Sequence, residues 1–379
     1  MDAKRLTWYA LTIALAGAAV VGSAARSTRG VMNAGMAVGT PDLKSAGVLT
    51  FGPDNMLFLG DSLGGAVFAV DVADSSRDAT TADFEVTQID RKIAALLGTT
   101  PDDIVIRDLA THTPSQHIYL SVSRGRGSDA TPALIRVSRS GELAEVGLTQ
   151  ARFAKATLQD MPATDAKTSW GESARGMAIT DLAVEGGELF VAGLSNEQFS
   201  SALRRVPVPF SSNARTTTLE IFHTSHNKYE TNAPIETLLP MTVRNKRVML
   251  AGYGCSPLAL FGVDDIRREK HLRGTTLAEL GGGNRPSDMV EFERNGDRVV
   301  IVANSDRTLM RITGKDLDKS EPLTHGASQA YEAFGTPYLS IAVVGVTQLD
   351  DLNPEQVVVI QRDIENGSLN LKSLKKKWL

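Results

Sequence analysis

The sequence predicts an all-β protein, a single β-propeller with six four-stranded antiparallel blades, or seven blades as the alternative. The first observation is that residues 287–312 form a pattern of three short strands. Asn295-Gly296 joins two of them as a hairpin turn, because both residues tolerate positive φ. The second observation is that five other places along the chain repeat this plan. Since one such meander cannot bury its own faces, the copies are expected to stack around a closed ring.

Length and composition fit one such ring. A chain of 379 residues accommodates six or seven blades at roughly 40 to 50 residues each. The chain is 42% hydrophobic and 22% charged with 33 glycines, which is typical of a globular protein rich in turns. Its net charge of −4, with scattered Lys and Arg, predicts no binding to nucleic acid. The basic run from Lys375 to Lys377 is expected to be a solvated tail.

The N-terminus has the pattern of an export signal. Lys4 and Arg5 precede an apolar run that ends at Gly22, and small residues up to Ala25 offer a cleavage site. The mature protein is therefore expected to be periplasmic or secreted, monomeric and without a membrane span. The predicted domains are a signal peptide at 1–25, an N-terminal extension at 26–46 and the propeller at 47–379. The extension is also a candidate to donate a strand that closes the ring.

The blades are predicted from short apolar runs that follow turn residues. Residues 84–89 are expected to be the outer strand of blade one, and residues 91–97 a short helix that Asp90 caps and Gly98 ends. Residues 151–173 are less regular, and one helical turn with a loop is expected there. The outer position of blade six is left for the N-terminal segment or the last residues. The first strands of the six blades are expected at 48–51, 104–111, 177–184, 235–243, within 287–312 and at 341–349.

Functional residues are expected at one end of the ring. The loops between second and third strands, and the loops that lead into each first strand, converge there around the mouth of the central channel, and both sets are polar. Guanidinium groups bind carboxylates and phosphates in a bidentate manner, so mouth arginines predict an anion site; the alternative is that each pairs with a carboxylate of a neighbouring blade. The predicted ligand-binding residues are Arg124, Arg175, His223, His226, Glu230, Arg285, Asn304 and Asp306.

Two groupings of mouth residues are candidate metal sites. His223, His226 and Glu230 offer zinc-type ligands, but two side chains three apart on a strand point to opposite faces. The two histidines can share a metal only if the chain turns between them. The oxygen ligands that Ca²⁺ prefers are offered by Asp61, Asn196, Glu230, Asn304 and Asp306.

A single cysteine, Cys255, excludes an intramolecular disulfide. It is expected to be an inert, buried thiol, with a catalytic nucleophile as the alternative.

Two stretches resemble exported bacterial propellers of the NHL, YncE-like and gluconolactonase-like kinds. They are residues 288–312 and residues 48–70, the latter with Phe51-Gly52-Pro53-Asp54-Asn55 leading to Leu59-Gly60-Asp61-Ser62. The gluconolactonase-like resemblance implies a divalent metal held by acidic and amide residues at the channel mouth.

Two functions from different classes remain open. One is a noncatalytic propeller that binds a small anionic ligand or a periplasmic partner protein at its mouth. The other is a metal-dependent hydrolase or lyase that uses the same mouth and a divalent ion such as Ca²⁺ or Zn²⁺. A propeller that holds a redox cofactor is a third outcome.

Overall fold

The structure, a computed structural model, describes residues 35–326 and 331–379, and the predicted signal peptide lies outside them. The described residues form a six-bladed β-propeller, which confirms the predicted fold class, and they contain no seventh blade. None of the helices in this part of the chain is long and apolar enough to cross a bilayer.

The strands and helices are numbered in chain order. The first half contains β1 (Ala37–Gly39), β2 (Leu49–Phe51), β3 (Met56–Asp61), β4 (Ala66–Asp71), β5 (Glu85–Val86), α1 (Ile89–Leu97), β6 (Ile104–His112), β7 (His117–Arg124), β8 (Thr131–Val137), β9 (Leu143–Glu145), β10 (Ala151–Thr157), β11 (Asp181–Glu185), β12 (Glu188–Leu194), β13 (Ser201–Pro207) and β14 (Arg215–His223). The second half contains β15 (Lys228–Glu230), β16 (Ile235–Val243), β17 (Lys246–Tyr253), β18 (Pro257–Gly262), α2 (Val263–Arg268), β19 (His271–Arg273), β20 (Thr275–Leu280), β21 (Pro286–Arg294), β22 (Asp297–Asn304), β23 (Leu309–Thr313), α3 (Gly314–Lys319), β24 (Ala333–Gly335), β25 (Leu339–Ile341), β26 (Val346–Asn353), β27 (Gln356–Arg362) and β28 (Leu369–Lys375). Short 3₁₀ turns lie at Pro53–Asn55, Pro101–Asp103, Gly127–Asp129 and Lys376–Trp378.

Each blade is one antiparallel meander, read here from the channel outwards. Blade one is β2-β3-β4-β10-β1, and blade two is β6-β7-β8-β9. Blade three is β11-β12-β13-β14-β15, with β19 added parallel to β14. Blade four is β16-β17-β18-β20-β24, blade five is β21-β22-β23-β25, and blade six is β26-β27-β28-β5. The sheets bury apolar side chains against their neighbours, and one such cluster joins blades two and six with α1.

The blades do not follow the chain around the ring. Contacts between innermost strands give the circular order one, two, six, five, four, three, and three is again next to one. After blade one the chain therefore builds blade two on one side and then returns past blade one to build blades three to six on the other. A local strand pattern cannot reveal this order, because it carries no information about which neighbour a blade packs against.

The outer strands near this reversal correct two predictions. Residues 84–89 do not complete blade one, because β5 pairs with β28 in blade six, with Val86 opposite Leu371. Residues 151–173 do not form a helical turn with a loop, because β10 lies there as the fourth strand of blade one. The N-terminal segment adds β1 to the free edge of β10, so it extends blade one and does not close the ring on blade six.

The helix predicted after β5 is present as α1, and Gly98 ends it with φ of 65°. The predicted cap is wrong: the helix begins at Ile89, so Asp90 lies inside its first turn. The carboxylate of Asp90 instead accepts a hydrogen bond from the amide of Leu369 in blade six at 3.2 Å.

The C-terminal basic run is not a solvated tail. Lys376 is buried, and its ammonium group donates to the carbonyl oxygen of Asn353 at 2.7 Å and pairs with Asp351. The ammonium also lies 5.3 Å from the ring centre of Phe292, so the chain end joins blades five and six. The hairpin at Asn295-Gly296 is as predicted, with φ of 53° and 72°.

Candidate functional site at the channel mouth

The two loop sets meet at one end of the ring, as the strand order predicts. In blade two the amide of Gly125 donates to the carbonyl oxygen of Asp103 at 2.7 Å, which joins the loop after the second strand to the loop before the first. The same link in blade six runs from Arg362 to Gly345 at 2.8 Å. We call this end of the ring the mouth.

Four innermost strands carry a one-residue bulge close to the mouth. In each case one residue of the first strand has no partner in the pairing with the second strand. The side chain of this residue therefore departs from the regular alternation between the two faces of the sheet. In blades two and four this residue is charged. The bulge residues are Arg107, Glu236, Ser287 and Thr347.

Directly below this layer, aspartate side chains bridge neighbouring blades. Asp108 accepts from the amide of Leu49 at 2.7 Å, and Asp288 accepts from the amide of Leu349 at 2.7 Å. Asp181 makes the matching contact to blade four, and each of the three also accepts from the amide that follows it in sequence. Asp350 bridges blades six and two from a position further along its strand, so four of the six junctions are bridged in this way.

These four aspartates are half-buried, and protein atoms surround their carboxyl groups. Burial raises the pKa of Asp181 to about 7 and that of Asp350 to about 6. Burial, with repulsion from the other carboxylates, raises the pKa of Asp108 and Asp288 well above the usual range. The four are not a group whose oxygens could share one ion, since among the described residues only a histidine cluster meets that condition. We therefore assign them to blade-to-blade contact.

Two of the predicted anion-binding arginines contact neighbouring segments. The guanidinium of Arg175 donates to three carbonyl oxygens, those of Ser62 at 2.8 Å, Pro162 at 2.9 Å and Leu63 at 3.0 Å. Arg285 pairs with the bulge residue Glu236 at 2.6 Å. Arg285 therefore matches the alternative in which a mouth arginine pairs with a carboxylate of a neighbouring blade, whereas Arg175 is held by backbone carbonyl oxygens.

Arg124 lies in a different setting, beside two further arginines on blade two. Arg126 donates from Nε to the carbonyl oxygen of Asp102 at 2.7 Å, and Arg107 donates from Nε to the hydroxyl of Ser123 at 3.0 Å. Both acceptors are uncharged oxygen atoms, so these contacts hold the two side chains without neutralising them. All three arginines are exposed. Loss of solvation beside neighbouring protein atoms, and then the charge of Arg126, lower the pKa of Arg107.

The remaining oxygen ligands are dispersed. Asn304 is buried, accepts from Asn284 at 2.8 Å and donates to backbone carbonyls of its own blade. Asp306 is exposed on the same loop and accepts from the hydroxyl of Ser305 at 2.7 Å. The carboxylate of Asp61, in blade one, accepts from three backbone amides and one hydroxyl, those of Lys44, Ser45, Gly64 and the side chain of Ser45. The structure does not bring the Ca²⁺ set together.

The histidine cluster, in contrast, does converge. β14 ends at His223, and the chain turns through residues 224–227, where the amide of His226 donates to the carbonyl of His223 at 3.2 Å. This is the turn on which sharing of a ligand depends. It brings the two imidazole ring centres to 4.1 Å. Nδ1 of His223 lies 2.7 Å from the carboxylate of Glu230, and Nδ1 of His226 lies 3.0 Å from it.

The charges around this cluster are strongly coupled. Burial alone lowers the pKa of His223, but Cys255, Glu279 and Glu230 together raise it to about 9. Burial raises the pKa of Glu230, but hydrogen bonds from His226, His223 and Lys228 lower it to about 2. The carboxylate of Glu230 is therefore held by the His223 imidazolium and by the ammonium group of Lys228.

Cys255 is half-buried beside the cluster, in the turn between β17 and β18. Interaction with His223 is the largest influence on the thiol and lowers its pKa, against the opposing effect of burial. Nε2 of His223 nevertheless makes no hydrogen bond of good geometry to any group in the described chain. The sequence predicts an inert thiol because it does not show that His223, from another blade, lies beside Cys255.

No protein-family model matches the chain, and no curated protein shows significant similarity to it. Its fold is similar to that of solved propeller-type structures. One is a proposed oxidoreductase (glucose dehydrogenase) from Thermus thermophilus, at 13% identity and a TM-score of 0.32, covering 90% of this chain and 100% of that chain. Another is an arabinanase from Bacillus subtilis, at 12% identity and a TM-score of 0.37, covering 72% of this chain and 94% of that chain. The extracellular domain of a proposed one-component system from B. thetaiotaomicron shows 10% identity and a TM-score of 0.34, covering 89% of this chain and 39% of that chain. Likeness at this level carries no argument about activity, and the six-bladed fold rests on the strand pairing.

Proposed function

We propose that the protein binds a small anionic ligand at the mouth, on blade two, in the periplasm or outside the cell. The binding groups are the guanidinium groups of Arg107, Arg124 and Arg126. The observation that carries this proposal is that three exposed cationic side chains share one loop region, and that uncharged oxygen atoms hold two of them there.

Orientation of the guanidinium groups supports binding. Nε of Arg107 and Nε of Arg126 are engaged by Ser123 and the carbonyl of Asp102, which fixes each planar group and makes its Nη atoms the donors for a ligand. Two like charges held close together are repulsive, and an anion between them removes the repulsion. Charge-assisted, bidentate hydrogen bonds to a carboxylate or phosphate then add to the affinity.

The channel below sets a limit on where the anion can lie. Asp108 follows Arg107 directly in β6, and the other bridging aspartates lie on the same channel. An anion that moved inward would approach this set of carboxyl groups, so the ligand is expected to remain on the outer side of the bulge layer. This geometry favours a compact carboxylate or phosphate group over a long anionic chain that threads the ring.

The test uses inorganic phosphate as the probe at low ionic strength, with binding measured by isothermal titration calorimetry. Arg107→Gln and Arg126→Gln are each expected to weaken phosphate binding about tenfold or more, because each removes a charge-assisted bond of roughly 1.5–3 kcal/mol. Arg215→Gln, at the first residue of β14 and at the end of the ring opposite the mouth, removes the same charge from an exposed position and serves as the matched control. Equal weakening by all three substitutions would reduce the effect to net charge and refute a site on blade two.

A further inference from the structure

We infer that His223, His226 and Glu230 form a binding site for a divalent transition metal of the zinc class. The site lies at the outer edge of blade three, at the end of β14 and in β15, and it is separate from the arginine surface of blade two. The inference does not depend on the proposed anion binding.

The donor set indicates the class of metal. One potential ligand atom from each of the three residues lies within 4.8 Å of the others. Two imidazole nitrogens and one carboxylate oxygen suit Zn²⁺ and its neighbours, whereas Ca²⁺ and Mg²⁺ require more oxygen ligands. Three protein ligands also leave one position of a tetrahedral ion for water or another small ligand.

A buried atom behind His223 is the second, independent observation. His223 is 3% exposed, and its Nε2 has no hydrogen-bond partner in the described chain. This nitrogen faces the buried carboxylate of Glu279, with 3.8 Å between Nε2 and Oε2. Histidines that bind a metal through one nitrogen commonly present the other to a carboxylate, which fixes the ring and raises its basicity.

Glu279 is itself held in place by neighbouring donors. It accepts from the amide of Thr224 at 2.9 Å and from the hydroxyl of Ser256 at 2.9 Å. Ring motion of His223 by a few tenths of an ångström would bring Nε2 into hydrogen-bond range of this fixed carboxylate. Glu279 therefore has the place of a positioning residue for the metal ligand.

A purely structural cluster of hydrogen bonds is the competing explanation. The Nδ1-to-carboxylate distances of 2.7 and 3.0 Å are hydrogen-bond lengths, and ligand atoms around tetrahedral zinc stand about 3.3 Å apart. Metal binding therefore requires a small expansion of the cluster. It also requires Lys228, whose ammonium lies 3.0 Å from Glu230, to move away, and this side chain is 64% exposed. If the cluster binds a metal, removing Lys228 should raise the metal affinity. If the cluster is purely structural, no stoichiometric metal binding should be found with or without Lys228.

The experiment measures metal binding directly on untagged full-length protein that has been treated with a chelator. Titration with Co²⁺, followed by its visible absorption, and competition with Zn²⁺ are expected to show one equivalent per chain. His226→Ala, at a half-exposed position that tolerates truncation, is expected to lower affinity at least about 100-fold, and Glu230→Gln is expected to do likewise. Lys228→Ala is expected to raise affinity by about 1.4- to 5-fold, because a competing exposed ion pair of roughly 0.2–1 kcal/mol is lost.

Controls separate this site from other sources of binding. His117→Asn removes a histidine of blade two, at the first residue of β7, and should leave the titration unchanged. Circular dichroism confirms that each variant is folded, and phosphate binding at blade two should be unaffected by His226→Ala. Absence of a stoichiometric site in the wild-type protein, or equal affinity in wild type and His226→Ala, would overturn the inference.

Discussion

At the scale of single residues, the bridging aspartates decide how the ring responds to pH. Each accepts two backbone hydrogen bonds, which favour the carboxylate, but burial opposes ionisation more strongly. The pKa of Asp181 rises from 3.8 to about 7 in the folded protein. Between these values the folded protein retains a proton that the unfolded chain has lost. The free energy of unfolding therefore falls as pH rises from about 4 to about 7.

Asp181→Asn is expected to remove this contribution. The asparagine offers one acceptor oxygen to two backbone amides, so the variant should be less stable at pH 5, by roughly 1–3 kcal/mol. Between pH 5 and pH 8 the free energy of unfolding of the variant should fall less than that of the wild type. The difference between the two decreases should be about 1.4 kcal/mol for each unit of pKa shift that the substitution removes. Urea midpoints at both pH values measure this. Asp264→Asn, 82% exposed at the side chain, should follow the wild-type profile; a D181N profile parallel to wild type would contradict the assignment.

Some of these residues were accessible from sequence and others were not. Asp108-Leu109, Asp181-Leu182 and Asp288-Met289 each place an aspartate before an apolar residue in a first strand, a repeated signal that marks the bridging position. Arg107 carries no comparable signal, because its orientation depends on a bulge formed with β7. The turn after His223 could be stated only as a condition, since Thr224-Ser225 fits both a strand and a turn.

At the scale of secondary structure, local patterns identify strands better than they identify partners. The hairpin at Asn295-Gly296 joins adjacent strands, so turn chemistry alone determines the pairing. β5 and β10 pair with strands that are distant in sequence, and nothing in a two-residue or seven-residue segment encodes that choice. The pairing is decided by burial: Val86 is 2% exposed within the apolar cluster of blades two and six.

Val86→Ala tests whether this short strand contributes to the core. Removing two buried methyl groups is expected to destabilise the protein by roughly 1–3 kcal/mol, as measured by urea unfolding. Glu85→Ala, on the exposed face of the same strand, is the matched control and should change stability by less than about 0.5 kcal/mol. If both substitutions have equal, small effects, β5 is only a peripheral addition to blade six.

At the scale of the whole molecule, the ring closes between blades two and six without a shared sheet. β5 follows the strands of blade one in sequence but pairs with β28 in blade six. β10 follows the strands of blade two but pairs with β4 in blade one. Each of these strands therefore connects two blades. The amide of Phe84 and the hydroxyl of Ser373 illustrate this, at 3.0 Å with a sequence separation of 289 residues. Such contacts close long loops, so they are expected to form late and to slow folding.

A disulfide across this contact tests the pairing of β5 with blade six. Glu85 and Lys372 are register partners in adjacent antiparallel strands, where Cα atoms lie about 4.5–5.5 Å apart, within the range that a disulfide requires. In a Cys255→Ser background, Glu85→Cys with Lys372→Cys is expected to oxidise within one chain and to stabilise the protein by about 2–4 kcal/mol. Glu85→Cys with Asp71→Cys probes the alternative in which residues 84–89 complete blade one, and it should remain reduced. Thiol titration and non-reducing electrophoresis distinguish the pairs, and the opposite pattern would refute the pairing of β5 with β28.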